Sequence, residues 1–316
     1  MTKENENNSF NKPEDTFDLK EIILVVWNDR LKVLCITILI AITSIVYALI
    51  LPNEYTSVVF LAPSDAQQGS LSQIQSSGSS STGGLASIAG SIGIGGAGKA
   101  TTLTSAVKIM ESWGFIETFI KENNLASELL AVREWDSKSN ELILDESKYD
   151  SSTQTWIGAE PSSWELFREW DDEVSVYHDM REGFVIVTAD HLSPVIAKKW
   201  VDLLVESINQ YMRERSLLQS NLNIEYLKEQ IEKTSVAEMQ EVFFRLIEEQ
   251  TKMKMLAEAN TQYAFTVVSK AMIAEEKSSP TRKLIVIGAT IVGGILSIFI
   301  VIALNYKNKI IRALRS

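Results

Sequence analysis

The chain has 316 residues, with 41 Asp and Glu against 30 Lys and Arg, a net charge of −11 and one cysteine. The acidic balance excludes a chain built to bind nucleic acid or an anionic lipid surface, and the lone cysteine excludes an intrachain disulfide. The length admits one large or two ordinary domains.

Residues 1–14 are polar and have the composition of a disordered tail. Asp18 to Arg30 (DLKEIILVVWNDR) places Ile22, Ile23, Val26 and Trp27 on one helical face. That pattern suits an interfacial helix leading into a membrane, or a face for a cytoplasmic partner. Val33 to Leu51 then runs 19 residues without a charge, and Leu284 to Leu304 runs 21. Both match the roughly 20 residues needed to cross hydrocarbon as a helix. The first is too long for the apolar region of a signal peptide, and no small-residue cleavage site follows it.

Orientation follows from basic residues near the span ends. Arg30 and Lys32 precede the first span, and no Lys or Arg follows it until Lys99. Lys307, Lys309, Arg312 and Arg315 follow the second span, with Arg282 and Lys283 on its other side as a weaker counter-signal. The expectation is a bacterial inner-membrane protein with both termini cytoplasmic and the central region periplasmic. The boundaries read as 1–32 cytoplasmic, 33–51 first span, 52–283 periplasmic, 284–304 second span and 305–316 cytoplasmic. Residues 53–281 hold 34 Asp and Glu and 19 Lys and Arg, so the acid is concentrated outside the membrane.

Glu54 to Ala62 reads as a strand. Residues 64–101 are Ser/Gly-rich: the first half has the composition of a mobile loop, the second is more apolar. Within it Gly93-Ile-Gly-Gly-Ala-Gly98 matches a dinucleotide fingerprint, and Gly93 to Lys99 matches most of a phosphate loop. Ala100 stands where that loop needs Ser or Thr, and no βαβ unit surrounds either motif. Gly density explains both. Leu103–Ile120 and Asn124–Glu134 read as helices, and a further helix starts at Pro161-Ser-Ser163. Val174–Tyr177 and Phe184–Ala189 read as strands joined by a turn at Arg181-Glu-Gly183. Gln262–Val268 returns as a strand.

The longest helical stretch is 193–260. Ser193-Pro194 is a helix start. Apolar residues recur at Trp200, Leu204, Ile208, Tyr211, Leu218 and Leu222. After a break near Lys233-Thr234, Ser235-Val-Ala-Glu238 fits a capping box. Met239, Val242, Leu246, Met253 and Leu256 then form a coiled-coil-like seam. The expectation is an antiparallel helical arm whose partner face on the first helix is Leu218, Leu222, Leu227 and Ile231. Such a pair cannot also cover Phe243, Phe244 and Ile247, so other subunits complete the burial. Met239, Val242, Phe243, Leu246, Ile247 and Met253 are the candidate oligomerisation residues, and Leu246→Asp is expected to weaken oligomers. In the second span Ala289, Gly293 and Ser297 recur every four residues, as do Thr290 and Gly294, the spacing that lets helices approach closely in lipid. The first span, a sister subunit and another membrane protein are equally good partners for them, and ordinary glycine use in spans explains the pattern too.

No constellation marks an enzyme. His178 and His191 have no cysteine to join them in a metal site, and neither HxxxH nor HExxH occurs. Asp171-Asp172-Glu173 and Asp145-Glu146 are adjacent acids, which rarely face one point as a glycoside cleft requires. No GxSxG elbow occurs. No cofactor, metal or catalytic residue is expected. The fold class expected is α+β: two transmembrane helices flanking an α/β base that carries the antiparallel arm.

Several stretches together resemble one family: DLKEIILVVWNDR, LASIAGSIGIGG, SWGFIETFIKENNL, FVIVTADHLSPVIAKKWVDLLVESIN, EKTSVAEMQEVFFRLIEEQTKMKMLAEANTQYAF and the second span preceded by Pro280. In order along nearly the whole chain they resemble the chain-length determinant (Wzz) family of polysaccharide co-polymerases. The resemblance implies a non-enzymatic homo-oligomer that sets the modal length of lipopolysaccharide O-antigen or a related polysaccharide, beside a separate membrane polymerase. The growing polysaccharide is a further candidate ligand, and nucleic acid is not. Two departures stand out. Only Pro280 is left of the proline-rich segment often found before the second span. The kinase domain of capsule-type relatives is not present after Asn305, which favours the lipopolysaccharide branch. A capsule or exopolysaccharide component working with a kinase on another chain is the alternative.

Overall fold

The computed structural model describes residues 27–64, 99–179 and 181–313. They fall into two compact units, one of residues 53–279 and one of the stretches on either side of it. The interfacial helix before Trp27 and the glycine motifs at Gly93–Gly98 lie outside the described residues.

Helix α1 (Arg30–Ile50) ends where Leu51 turns extended ahead of Pro52, whose ring disfavours helical geometry in the residue before it. The outer unit begins with β1 (Tyr55–Pro63), in which Ser57, Val59 and Leu61 alternate into the interior. Helices α2 (Lys99–Met110) and α3 (Trp113–Glu122) replace the single helix expected over Leu103–Ile120. Ser112 divides them: its backbone is extended and its Oγ donates to Ile109 O at 2.7 Å, satisfying a terminal carbonyl of α2.

The helix expected over Asn124–Glu134 is also corrected. Only α4 (Ala126–Leu130) is helical, and the chain turns at once into β2 (Val132–Asp136), paired with β3 (Glu141–Leu144). The turn is built by Asp136, whose carboxylate accepts from Lys138 N and Ser139 Oγ, with Asn140 at φ 58°. Asp-Ser-Lys-Ser-Asn is a turn signal that the apolar spacing of the segment concealed. A second small hairpin pairs β4 (Tyr149–Asp150) with β5 (Thr155–Trp156).

Helix α5 (Ser163–Glu173) starts with a full capping box, Ser162 to Glu165 N and Glu165 back to Ser162 N. Next come β6 (Val174–Asp179) and β7 (Phe184–His191), then the long α6 (Pro194–Lys233) and α7 (Ala237–Ala259), then β8 (Phe265–Ser269). The capping box expected at Ser235–Glu238 does not form. Val236 is the N-cap of α7 and makes no side-chain cap, because the helix starts one residue later than Ser235 requires.

The four main strands make one antiparallel sheet in the order β6-β7-β1-β8, with Val59 opposite Val187 and Val187 opposite Val176. On β7 the side chains of Val185, Val187, Ala189 and His191 all point to the buried face. The lower turns of α6 cover that face with Ala197, Trp200, Val201, Leu204, Val205 and Ile208. Helices α2, α3 and α5 close the same core. An aromatic chain runs through it: Phe119 to Trp170 at 5.0 Å, Trp170 to Trp200 at 5.3 Å and Trp200 to His191 at 4.7 Å between ring centres. These edge-to-face and tilted pairs contribute beyond their buried area.

The terminal unit is completed by α8 (Arg282–Ala313), which packs along α1. Both helices are long and apolar enough to cross a membrane.

Candidate interaction surfaces

The arm is an antiparallel pair. At the top, Gln240 Nε2 donates to Thr234 O at 3.0 Å; midway, Asn223 Nδ2 donates to Gln250 Oε1 at 3.1 Å; at the foot, Ser216 Oγ and Tyr263 OH share a hydrogen bond of 2.7 Å. With 40 residues in α6, the helix is about 60 Å long at about 1.5 Å per residue. The expected pairing of faces is half right. Leu246 is 4 % exposed and Leu227 is fully buried, but Ser220, Gln250 and Ala257 fill the remaining buried positions. Leu218 and Leu222, expected inside, are 62 % and 52 % exposed. Helical spacing of four fits the inward and the outward stripe equally, and Asn223 and Gln250 meet in the register that turns Leu218 and Leu222 out.

The sequence-derived candidates therefore divide. Leu246 is closed within the chain. Met239, Val242, Phe243, Ile247 and Met253 are half-buried along α7. Phe244 is 60 % exposed, and Met255 is exposed on the same helix. On α6, Leu218, Leu222 and Tyr226 form an outward stripe at steps of four, which the sequence reading assigned in part to the inside.

In the terminal unit, Gly293 and Ser297 lie against α1. A Cβ built on Gly293 would meet Ile40 Cγ2 at 2.6 Å, closer than real Cβ atoms come, so glycine is what allows this approach. Ser297 is fully buried, and its Oγ lies 3.0 Å from Thr37 Oγ1. Ala289 is half-buried one turn earlier. At Gly294 an added Cβ would meet Thr37 only at an ordinary 3.9 Å.

The base of the outer unit positions the arm through two polar residues. Asn209 of α6 is 4 % exposed and fully hydrogen-bonded. Its Oδ1 accepts from Ala264 N at 2.8 Å and Phe265 N at 2.9 Å, and its Nδ2 donates to Phe265 O and Val205 O at 3.1 Å. One side chain thereby ties α6 to the start of β8. His191 is buried against Trp200, and burial pushes its pKa down. Ser193 N donates to Nδ1 at 2.9 Å, so the neutral ring carries its proton on Nε2 and donates to Glu128 O at 3.1 Å. Glu128 itself pairs with Lys199 at 2.6 Å and accepts from Trp200 Nε1 at 3.2 Å. These are structural roles.

Of the adjacent acids, Asp145 caps its own turn, accepting from Ser147 N at 3.0 Å and Ser147 Oγ at 2.7 Å. Glu173 is different. Half-burial, with the charges of Glu54, Asp190, Glu169 and Asp172 added, pushes its pKa up to about 7.

A family model for "Chain length determinant protein" matches residues 15–122, and a second, for "G-rich domain on putative tyrosine kinase", matches residues 232–306. No curated protein matches the chain. Among solved structures, a "full-length bacterial polysaccharide co-polymerase" is 11 % identical, with 92 % of this chain and 99 % of that one covered at a TM-score of 0.41. A fragment of WzzB, a polysaccharide co-polymerase from Salmonella Typhimurium, is 11 % identical, with 72 % of this chain and 100 % of that one covered at a TM-score of 0.30. Residues 15–122 thus match the chain length determinant (Wzz) family, and a G-rich domain follows over residues 232–306.

Proposed function

We propose that the protein is a non-enzymatic regulator of polysaccharide chain length that works as a homo-oligomer beside a membrane polymerase. The match over residues 15–122 is the observation that carries this reading. The protein would lie in a bacterial inner membrane through α1 and α8, with residues 52–283 in the periplasm and both termini in the cytoplasm. Its oligomers would form through the arm. The outward stripe of Leu218, Leu222 and Tyr226, with Phe244 on α7, supports that, since apolar side chains on a solvated helix favour association. The substrate would be the O-antigen of lipopolysaccharide.

The second match favours another pathway. A domain described from putative tyrosine kinases, over residues 232–306, supports a capsule or exopolysaccharide system whose kinase is a separate chain. Gel analysis of surface polysaccharide from cells lacking the gene tests both. A changed length ladder of O-antigen supports the first reading. A change in capsule or exopolysaccharide alone supports the second.

A further inference from the structure

A ledge of aromatic rings stands on the outer unit. Trp113 is 45 % exposed and Trp164 is 52 % exposed, an unusual cost for two of the largest apolar side chains. The rings lie 5.2 Å apart, edge to face, and Phe167 lies beneath both, 6.0 Å from Trp113 and 5.6 Å from Trp164. The ledge is rigid. Trp113 Nε1 donates to Ser163 Oγ at 2.6 Å. The Glu117 carboxylate, which Lys121 Nζ meets at 2.6 Å, is held below its usual pKa by Lys121 first and then by the Ser163 hydroxyl. Ser163 accepts from the indole N–H, which orients the ring.

Ser163 also stands at the edge of a cleft of about 380 Å³. Its walls combine two more rings, Tyr149 and Trp156, with the polar side chains of Lys121, Asn124, Gln154 and Glu160. Tyr149 and Trp156 are packed edge to face at 5.2 Å. The volume falls within the range of small-ligand sites.

We propose that this ledge and cleft bind a sugar chain. A pyranose presents a face of weakly positive C–H groups and an edge of paired hydroxyls. The negative face of an indole receives the first. The second is met by the amides, which accept and donate, by the carboxylate, which accepts from hydroxyls, and by the ammonium, which donates to them. A protein partner would call for a larger continuous apolar area than two rings bordered by polar groups. An anionic membrane surface would be repelled by the acidic outer region. The proposed function supplies only the source of the chain, a surface polysaccharide passing the periplasmic unit. The sugar chemistry comes from the site.

The test uses full-length protein in nanodiscs, titrated with oligosaccharides released by mild acid from the surface polysaccharide of the parent strain. Binding is read by saturation-transfer NMR and tryptophan fluorescence. Trp164→Ala and Trp113→Ala should each weaken binding about tenfold, the scale of a lost stacking contact. Trp164→Tyr, which keeps a ring, should retain most of the affinity, and Trp164→Leu, which keeps only apolar area, should not. Tyr177→Ala, at an exposed ring on β6, should leave binding unchanged, and unchanged thermal unfolding verifies each fold. Absence of binding by the parent, or full binding by Trp164→Leu, overturns the proposal. So does a photoreactive residue at position 164 that crosslinks to a second copy or another protein instead of to glycan. If the parent fails to bind while loss of the gene still alters the length ladder, the site is wrong and the chain-length reading stands. If the parent binds and the ladder is unaltered, the reverse holds.

Discussion

Gly293 brings the backbone of α8 so close to Ile40 that even a methyl group would collide with it. One turn on, Ser297 and Thr37 share a hydrogen bond of 3.0 Å. The two apolar helices are therefore fitted to each other by small residues, as expected where lipid offers no hydrophobic drive for helix association. In a Cys35→Ser background, a Thr37→Cys, Ser297→Cys pair should oxidise to a disulfide within one chain, seen as a mobility shift at monomer mass. Adding Gly293→Leu should abolish it. Crosslinking only between chains would contradict this pairing.

Asn209→Ala should be among the most damaging single changes in the outer unit. It leaves Ala264 N, Phe265 N and Phe265 O without the partners that hold them. Each buried orphan costs about 1–3 kcal/mol, so a loss of at least about 3 kcal/mol is expected by denaturant unfolding. Asn209→Asp, which keeps the acceptor for the two N–H groups, should do less harm at low pH, where it is protonated.

Glu173 gives the outer unit a pH dependence of definite sign. Its folded pKa of about 7 lies above the ordinary 4.5, so the folded state holds the proton more tightly between those values. The stability this provides is complete below about pH 4.5 and is lost as pH rises to about 7. The group is half-exposed, so solvent screening reduces the effect to about 1 kcal/mol. Glu173→Gln should remove that part of the pH dependence and raise stability at pH 8 by a similar amount. Thermal unfolding of parent and variant at pH 5 and pH 8 checks it.

On the arm, Leu246 is already covered by its own chain, so Leu246→Asp should unpack the hairpin and lower thermal stability whatever the oligomeric state. Leu222→Asp and Phe244→Asp instead place a charge on outward positions. They should leave folding within about 0.5 kcal/mol of the parent and weaken oligomers. Crosslinking in membranes decides it. Unchanged high-order species in both variants would remove the outward stripe from the assembly.

How far the sequence could be read depended on what each signal measures. The two long apolar helices, β1, β7 and α6 were legible because uncharged runs of about 20 residues, β-branched and aromatic stretches, and apolar residues at steps of three and four each signal one kind of element. The hairpin β2–β3 was not, since Val132 to Asp136 carries three charges and its turn is made by the Asp136 side chain. The face of α6 toward α7 was misjudged for a related reason: its buried positions include Ser220, and its partner Gln250 is polar, so hydropathy pointed to Leu218 and Leu222 instead. The small-residue stripe in α8 was visible, but its partner was not, because spacing reports that a helix approaches and not which one. The exposed Trp113 and Trp164 meet only through tertiary packing, with the Trp113 indole bonded to Ser163 50 residues on.

The central claim is that this chain governs polysaccharide length, and the most direct measurement is the length distribution of surface polysaccharide on a gel. Cells lacking the gene should lose their preferred chain length and show a ladder of unregulated lengths. Returning the gene should restore the original distribution, while returning it with Leu222→Asp and Phe244→Asp together should not. An identical ladder with and without the gene, for both lipopolysaccharide and capsule or exopolysaccharide, would contradict the account.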